Sequence, residues 1–206
     1  MMGLLEGRME TISGEFRPQD VTHVLRAYAT VAAEFVKKPG QPKMALLEKR
    51  AEVISGEFDS EDVSRTLRPY AMMGDKPGEG LMGLLEERVE AISGQFNSHH
   101  VSDTLYAYAK MERKPGERVM GLLEERAEAI SGEFDSEDVS DTLRAYATMG
   151  EKPGERLMGL LEGRAEAIEG EFQSKHVSDT LWAYAEMQRK PGERLMGLLE
   201  ERAEAI

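Results

Sequence analysis

The side chains with the greatest capacity for chemistry are four histidines and many paired carboxylates. His99 and His100 are neighbours, and adjacent side chains on a helix point about 100° apart, so they do not chelate one ion together. His100 and His176 lie two sequence repeats apart, which separates them by roughly 20 Å if stacked helices are about 8–10 Å apart. Zinc needs its nitrogen ligands at about 2.1 Å. The histidines therefore predict no metal site.

No other set of residues predicts catalysis or a cofactor. The chain has no cysteine, so it offers no thiolate and no disulfide, which is typical of a reducing compartment. Gly78–Gly83 matches the glycine spacing of a dinucleotide-binding loop, but no strand precedes it. Carboxylate pairs such as Glu86–Glu87 are explained by a solvated helix face. We therefore expect a protein that is not an enzyme and that binds no cofactor.

The elements that position these residues come from a phrase that the chain repeats. Met120–Phe134 reads MGLLEERAEAISGEF, and close copies begin at Met82 and Met158. A fixed period of this length is the signature of a solenoid of stacked repeats. Prolines keep the period at 38 residues throughout, at Pro39, Pro77, Pro115, Pro153 and Pro191.

Each repeat has the pattern of two helices. The first helix, as in Glu79–Ile92, has apolar residues three or four positions apart. The second helix follows Asp, Asn or Gln, and Asp and Asn are good N-caps. Its apolar stripe is Val101, Leu105, Tyr108 and Met111 in the third repeat. The pattern predicts an all-α fold, an α-solenoid of two-helix repeats with about eleven helices wound as a right-handed superhelix.

The whole chain, 1–206, is predicted to form a single elongated repeat domain. Its repeats span roughly 1–38, 39–76, 77–114, 115–152 and 153–190, followed by a half repeat, 191–206. Repeats two and four match each other, as do repeats three and five, so the duplicated unit is 76 residues. The chain ends after a first helix, and we expect this open end to stack on a neighbour or to mark a longer protein.

Glycine and proline positions give three local expectations. Gly94, after a first helix, is expected to adopt the left-handed conformation of a helix C-cap. Gly83, inside a first helix, suggests close approach of another backbone, with copying of a tolerated residue as the alternative. Pro69, deep in a second helix, is expected to kink or break it at a cost of about 3 kcal/mol.

The outer face of the second helices is where otherwise similar repeats differ. Guanidinium and aromatic groups such as those found there anchor protein interfaces and also stack on nucleobases. We predict a partner-binding surface; drift on a solvated face, with Trp182 filling a groove between repeats, is the alternative. The predicted residues are Arg26, Arg68, Tyr106, Arg144 and Trp182 at one position, with His99 and Lys175 two turns earlier.

A second series of arginines flanks the apolar face of the first helices. Because many glutamates lie nearby, salt bridges and burial of the aliphatic stems are the expected roles. The series comprises Arg8, Arg50, Arg88, Arg126, Arg164 and Arg202.

The second helices also carry a family motif. Val177–Met187 reads VSDTLWAYAEM, and its copies read VSDTLYAYAKM and VSDTLRAYATM. These phrases resemble the helical repeats of algal organelle proteins, the octatricopeptide-repeat family and the related RAP and FAST-kinase-like repeat proteins. The resemblance implies an α-solenoid in a plastid or mitochondrion that binds RNA and acts on transcript processing, stability or translation. Related repeats also form structural parts of large organellar assemblies.

The net charge of −13 bears on the choice between these roles. An acidic surface repels phosphate, so RNA would need a local basic strip. No apolar run approaches the roughly 20 residues of a membrane span. We therefore predict a non-enzymatic scaffold or linker that docks protein partners within a larger, organellar assembly, and RNA binding is the alternative.

Overall fold

The computed structural model describes residues 16–35 and 40–204. Its helices are α1 (Pro18–Phe35), α2 (Gln41–Ile54), α3 (Ser60–Met73), α4 (Glu79–Ile92), α5 (Ser98–Lys110), α6 (Glu117–Ala129), α7 (Ser136–Thr148), α8 (Glu155–Ala167), α9 (Ser174–Glu186) and α10 (Glu193–Glu204). Short 3-10 turns follow four of them, at Ser55–Glu57, Ser93–Gln95, Ser131–Glu133 and Glu169–Glu171. These described residues contain no strand, which confirms the all-α prediction. The first predicted helix lies outside them.

The chain divides into two compact units, unit 1 (Met1–Ile92) and unit 2 (Ser93–Ile206). In unit 1, α1 packs beside α3 and α2 packs beside α4. Consecutive helices also contact each other, α1 with α2 and α3 with α4. The helices therefore alternate between two layers, in which the even-numbered helices are the first helices of the repeats and the odd-numbered ones are the second.

Unit 2 has the same arrangement over more repeats. In it α7 lies between α5 and α9, and α8 lies between α6 and α10. The second helices approach one another most closely, since small side chains such as Ala107, Ala145 and Ala183 are fully buried along them. Each unit is thus a stack of helical hairpins, as the predicted solenoid requires.

The apolar stripes predicted from spacing form the core. Burial stabilises each large apolar side chain by about 1.5–3 kcal/mol relative to exposure. Phe58, Phe96 and Phe134 have no exposed surface. The predicted stripes are buried too, namely Leu81, Leu85, Val89 and Ile92 on α4, and Val101, Leu105, Tyr108 and Met111 on α5.

The second helices begin at the predicted capping residues. The Asp59 carboxylate accepts a hydrogen bond from Asp62 N at 2.8 Å, and the Asp62 carboxylate accepts one from Asp59 N at 3.2 Å. Asp135 and Asp138 form the same capping box at the start of α7. Asn97 caps α5 by accepting from the backbone N–H of the third helical residue at 2.9 Å. These caps fix where each second helix starts and hence which residues face outward.

Pro69 does not interrupt α3. The helix is continuous from Ser60 to Met73, so the predicted break is wrong. Pro69 is buried at the position that Ala107 holds in α5. Its helix is capped at the N-terminus and ends at the left-handed Gly74. Packing and capping offset the roughly 3 kcal/mol that an internal proline costs.

Left-handed backbone occurs after the second helices, not after the first. Gly94 belongs to the turn Ser93–Gln95, and the expectation of a left-handed residue there is wrong. At each left-handed position the following N–H bonds to the tyrosine carbonyl five residues earlier, at 2.9–3.1 Å, which is a Schellman motif. The positions are Gly74 (φ 60°), Glu112 (50°), Gly150 (69°) and Gln188 (51°).

The glycines that recur one turn into the first helices, at Gly83, Gly121 and Gly159, face open space. A Cβ added at Gly83, Gly121 or Gly159 would meet no atom within 4 Å. The expected close approach of another backbone is therefore wrong, and a tolerated glycine explains these positions. Gly154, before α8, differs because a Cβ there would collide with the Glu124 carboxylate.

That carboxylate joins two neighbouring repeats. Tyr146 Oη donates to Glu124 at 3.0 Å, and Gly154 N donates to its other oxygen at 2.9 Å. Tyr184 donates to Glu162 in the same way at 2.8 Å. Burial and the adjacent Glu124 charge raise the pKa of Tyr146 far above its usual range. The tyrosine is therefore a permanent donor that fixes a second helix to the first helix of its repeat.

The arginines of the first helices bind backbone carbonyls of the preceding repeat. Arg126 and Arg164 donate through Nε at 2.6 Å to the carbonyls of Phe96 and Phe134. Arg88 donates to the Phe58 carbonyl through Nε as well, and Arg50 donates to the Phe16 carbonyl through Nη2. The predicted salt bridges are therefore wrong for these four, although their half-buried stems agree with the prediction. Arg8 lies outside the described residues.

Candidate partner-binding site

Equivalent starts give the second helices an equivalent outer face. The residue nine positions after each cap lies on it in every repeat. Trp182 there is 44% exposed, whereas tryptophan side chains are highly buried on average. The full set is Arg26 and Arg68 in unit 1 and Tyr106, Arg144 and Trp182 in unit 2.

Unit 2 brings its three predicted residues together around one groove. The Arg144 guanidinium lies 5.6 Å from the centre of the Trp182 ring, and Lys110 Nζ lies 5.5 Å from that of Tyr106. Each ring therefore carries a cation on one face, an arrangement favoured by the ring quadrupole. The groove has a volume of about 240 Å³ and is lined by Tyr106, Ala109, Lys110, Arg144, Ala145, Thr148 and Trp182.

Carboxylates neutralise the cations around the centre of this face. Arg144 forms an ion pair with Asp179, which is buried. Lys175 Nζ lies 3.2 Å from Asp179 and 3.4 Å from the buried Asp141. Partial burial opposes the charged form of Lys175, but the two carboxylates raise the pKa of its ammonium above the ordinary value. Breaking such pairs would leave buried acids uncompensated, which is costly.

His99 makes the corresponding link between α5 and α7. Its Nδ1 lies 2.7 Å from Asp138 Oδ1, which also accepts a hydrogen bond from Ser102 at 2.8 Å. Partial burial lowers the pKa of the His99 imidazole, yet the Asp138 and Asp135 carboxylates outweigh this and raise it above 6.5. His99 thus contributes to the contact between neighbouring repeats.

His99, Asp135 and Asp138 are also the group in the described part of the chain that could hold a metal ion. The two ring nitrogens of His99 face different acids, because Nε2 lies 3.8 Å from Asp135. Both acids already form the capping box of α7. A zinc site would point one nitrogen and both carboxylates at a single ion. The geometry suits hydrogen-bonded ion pairs better than chelation.

The outer face of unit 1 has arginine rather than an aromatic residue at this position, as Arg26 on α1 and Arg68 on α3. Arg68 is half-buried on α3, and Met72 one turn later is 59% exposed. Arg26 borders a shallow pocket on α1 of about 390 Å³, shared with His23, Ala27, Thr30 and Val31. The aromatic groove is therefore a feature of unit 2.

The model of one protein family, the RNA-editing substrate-binding complex 6 protein, matches residues 4–206. The chain belongs to this family. The match includes all seven residues predicted for the outer face. The resemblance to octatricopeptide, RAP and FAST-kinase-like repeats is limited to the helical-repeat architecture. The family whose model matches is a different one. No curated protein matches the sequence significantly.

In this member of the RNA-editing substrate-binding complex 6 family, helix periodicity also placed Lys110 and Asp179 on the outer face. Lys110 lies one turn after Tyr106, and Asp179 lies three residues before Trp182. Sequence reasoning missed Asp138, because it reaches His99 from the next repeat.

The family member has no candidate membrane span within residues 16–35 and 40–204. None of the helices described there combines sufficient length with sufficient hydropathy.

Proposed function

We propose that this protein is a non-enzymatic helical-repeat scaffold in an RNA-editing substrate-binding complex, where it docks a protein partner on the outer face of unit 2. The observation that carries the proposal is Trp182, 44% exposed on α9 at a groove that it shares with Tyr106 and Arg144. Trp, Tyr and Arg are the residues most enriched in interface hot spots. The description of the family supports membership of such a complex.

The distribution of charge favours a protein partner. Arg144 and Lys175 are both paired with Asp179, so a phosphate would have to displace a buried carboxylate. The net charge of −13 adds a general repulsion of nucleic acid. A protein partner can cover the apolar and aromatic surface without breaking any of these pairs.

RNA binding is the second candidate. It is favoured by the alternation of aromatic ring and guanidinium across α5, α7 and α9, because nucleobases stack on such groups. The candidate RNA contacts are Arg26, Arg68 and Arg144 with the turns Arg113–Lys114 and Arg189–Lys190. In each of these two turns, however, one cation is paired with a carboxylate: Lys114 lies 2.5 Å from Glu151, and Arg189 lies 2.6 Å from Glu155. These pairs reduce the positive charge available to a strand.

The proposal includes neither catalysis nor a cofactor. It is supported by the structural use of the chain's hydroxyl groups, since Ser98 and Ser136 donate to the backbone carbonyls of Glu133 and Glu171 in the next repeat. A reaction of the purified protein that is lost on replacing one polar residue would overturn this part. We further propose an organellar compartment, which microscopy of the tagged full chain would test.

The docking role is tested by purifying the tagged full chain from native extract and identifying both proteins and RNA. Trp182→Ala and Tyr106→Ala should each weaken partner binding by about 1–3 kcal/mol, with modest salt dependence. Val53→Ala, at a side chain that is 74% exposed on α2, is the control and should leave binding unchanged. RNA retained at physiological salt, and lost on charge reversal of Arg26, Arg68 and Arg144, would favour the alternative.

A further inference from the structure

The groove on unit 2 carries a positive charge that none of the described carboxylates neutralises. Lys110, the last residue of α5, is exposed and has no paired carboxylate among the described residues. Its ammonium instead lies 5.5 Å from the centre of the Tyr106 ring. Arg144, Lys175 and His99 on the same face all have acidic partners. Lys110 is therefore available to a ligand at the groove edge.

The shape of the groove suits one anchoring side chain. Its floor includes Ala109 and Ala145, which are small and buried, and Tyr106 and Trp182 lie along it. The volume of about 240 Å³ is below the roughly 300–1,000 Å³ of pockets for drug-sized ligands. An aromatic or branched aliphatic residue fits such a space and would cover the exposed indole.

From the proposed docking function, we infer that the groove binds a protein segment in which an aromatic or aliphatic anchor is flanked by carboxylates. The anchor packs between the two rings, and a flanking carboxylate pairs with Lys110. A net charge of −13 would by itself favour basic ligands over acidic ones, so the preference for carboxylates has to come from the local charge. At physiological salt the screening length is about 8 Å, so the charge at the groove outweighs more distant ones.

A nucleic acid strand suits the same surface less well. A strand would carry a phosphate at every nucleotide, and it would pass the exposed carboxylates Glu137 and Glu186 on the outer face. Only a ligand that concentrates its negative charge beside Lys110 avoids them. We therefore expect the groove to bind an acidic protein segment more tightly than RNA.

The fluorescence of Trp182 provides a direct readout, because it is the single tryptophan of the chain. We would titrate the full chain with three capped peptides, Gly-Glu-Phe-Glu-Gly, Gly-Lys-Phe-Lys-Gly and Gly-Glu-Ala-Glu-Gly, and with a uridine oligonucleotide. The first peptide should shift the emission at concentrations at least about fivefold lower than the lysine peptide, as expected for one favourable charge pair. The alanine peptide should bind more weakly than the first because it lacks the anchor.

Charge substitutions separate the local effect of Lys110 from net charge. Lys110→Glu should reverse the preference between the acidic and basic phenylalanine peptides. Lys76→Glu makes the same change in net charge at an exposed lysine of unit 1 that does not line the groove, and should leave the preference intact. Lys110→Gln should abolish the preference without placing an acid at the C-terminal end of α5, where it opposes the helix dipole.

Several results would overturn the inference. They are equal or tighter binding of the lysine peptide, tightest binding of the oligonucleotide, no emission shift with any peptide at millimolar concentration, or the same change from Lys76→Glu as from Lys110→Glu. If Trp182→Ala disrupts the native complex while the peptides show no acidic preference, docking stands and the inference fails. If Trp182→Ala and Tyr106→Ala leave the complex intact, the proposed function itself fails.

Discussion

Within unit 2 the repeat of α7 differs from the repeats of α5 and α9 that pack on either side of it. All three share the buried valine and tyrosine of the second helix. They differ at the third helical residue (Asp138 against His100 and His176), at the outer position (Arg144 against Tyr106 and Trp182) and at the left-handed residue (Gly150 against Glu112 and Gln188). The shared residues build the fold and one set of contacts between neighbouring repeats, such as those of Arg126 and Arg164, and the differing residues add further contacts of their own.

The third helical residue shows this division most clearly. In α7, Asp138 accepts hydrogen bonds from Asp135 N and Ser102 and contacts His99 on α5. In α9, His176 packs edge-on against Phe172, with ring centres 6.1 Å apart. The acid therefore links two repeats, whereas the histidine packs within its own repeat.

The largest effect should come from removing that acid. Asp138→Ala deletes the partner of three groups at a site with 1% exposure, and we expect a loss of about 2–3 kcal/mol in the free energy of unfolding. His176→Ala removes one ring contact and one long hydrogen bond, from Gln173 N at 3.4 Å, and should cost less than about 1 kcal/mol. Chemical denaturation followed by circular dichroism measures both. Equal losses would mean that the aspartate and the histidine at this position stabilise their repeats to the same extent, and would contradict the comparison.

A second pair of variants tests what the repeats share. Arg126→Met and Arg164→Met each remove a hydrogen bond from a charged group to a phenylalanine carbonyl, in repeats of opposite kind. Because methionine keeps an apolar stem, the loss should be about 1.5–2 kcal/mol and the same for both. The same denaturation measurement applies, and losses that differ by more than about 1 kcal/mol would contradict this equivalence.

The sequence predicted the elements well because their signals are local. Apolar spacing located the stripes of α4 and α5, and polar residues such as Asp59 and Asn97 marked helix starts. The arginine contacts could not be predicted in the same way. Their acceptors are backbone carbonyls about 30 residues away, and no side-chain pattern identifies a carbonyl as a partner.

The candidate site could be predicted only in part for the same reason. Periodicity placed Tyr106, Arg144 and Trp182 at equivalent outward positions, and the fold brings them to one groove. Periodicity did not show that Asp179 would neutralise Arg144 from the neighbouring helix. Which cations remain available depends on packing between repeats, and that packing distinguishes Lys110 from Arg144.

The repeat of α3 in unit 1 also has an aspartate, Asp62, as its third helical residue, and this residue should make the free energy of unfolding depend on pH. Burial raises the pKa of Asp62 from 3.8 to about 6. The folded state therefore binds this proton more tightly than the unfolded state, so the contribution of Asp62 to stability increases as pH falls through about 6 and levels off below about 4. Acidification from about pH 7 to about pH 4 should stabilise the wild type relative to Asp62→Asn by on the order of 1 kcal/mol.

Chemical denaturation of the wild type and of Asp62→Asn across this pH range measures the difference between their free energies of unfolding. The titration of the other groups is common to both proteins and cancels in that difference. Ser64→Ala, at a buried residue of the same helix that does not titrate, is the control, and its difference from the wild type should not change with pH. A difference that stays constant, or that favours Asp62→Asn at low pH, would contradict the raised pKa of Asp62.

The smallest effect concerns the left-handed residue after each second helix. Gln188 adopts φ 51° where the α7 repeat has Gly150 at φ 69°. A side chain costs about 1–2 kcal/mol in this conformation, and glycine returns part of that through its greater freedom in the unfolded chain. Gln188→Gly should therefore stabilise the protein by about 0.5–1 kcal/mol, and Gly150→Gln should destabilise it by a similar amount.

Glu112→Gly should stabilise the protein slightly more than Gln188→Gly, because it also removes an acid from the C-terminal end of α5. Thermal and chemical unfolding of the three variants measure this order. Destabilisation by Gln188→Gly would show that its side chain makes a contact that outweighs the backbone preference.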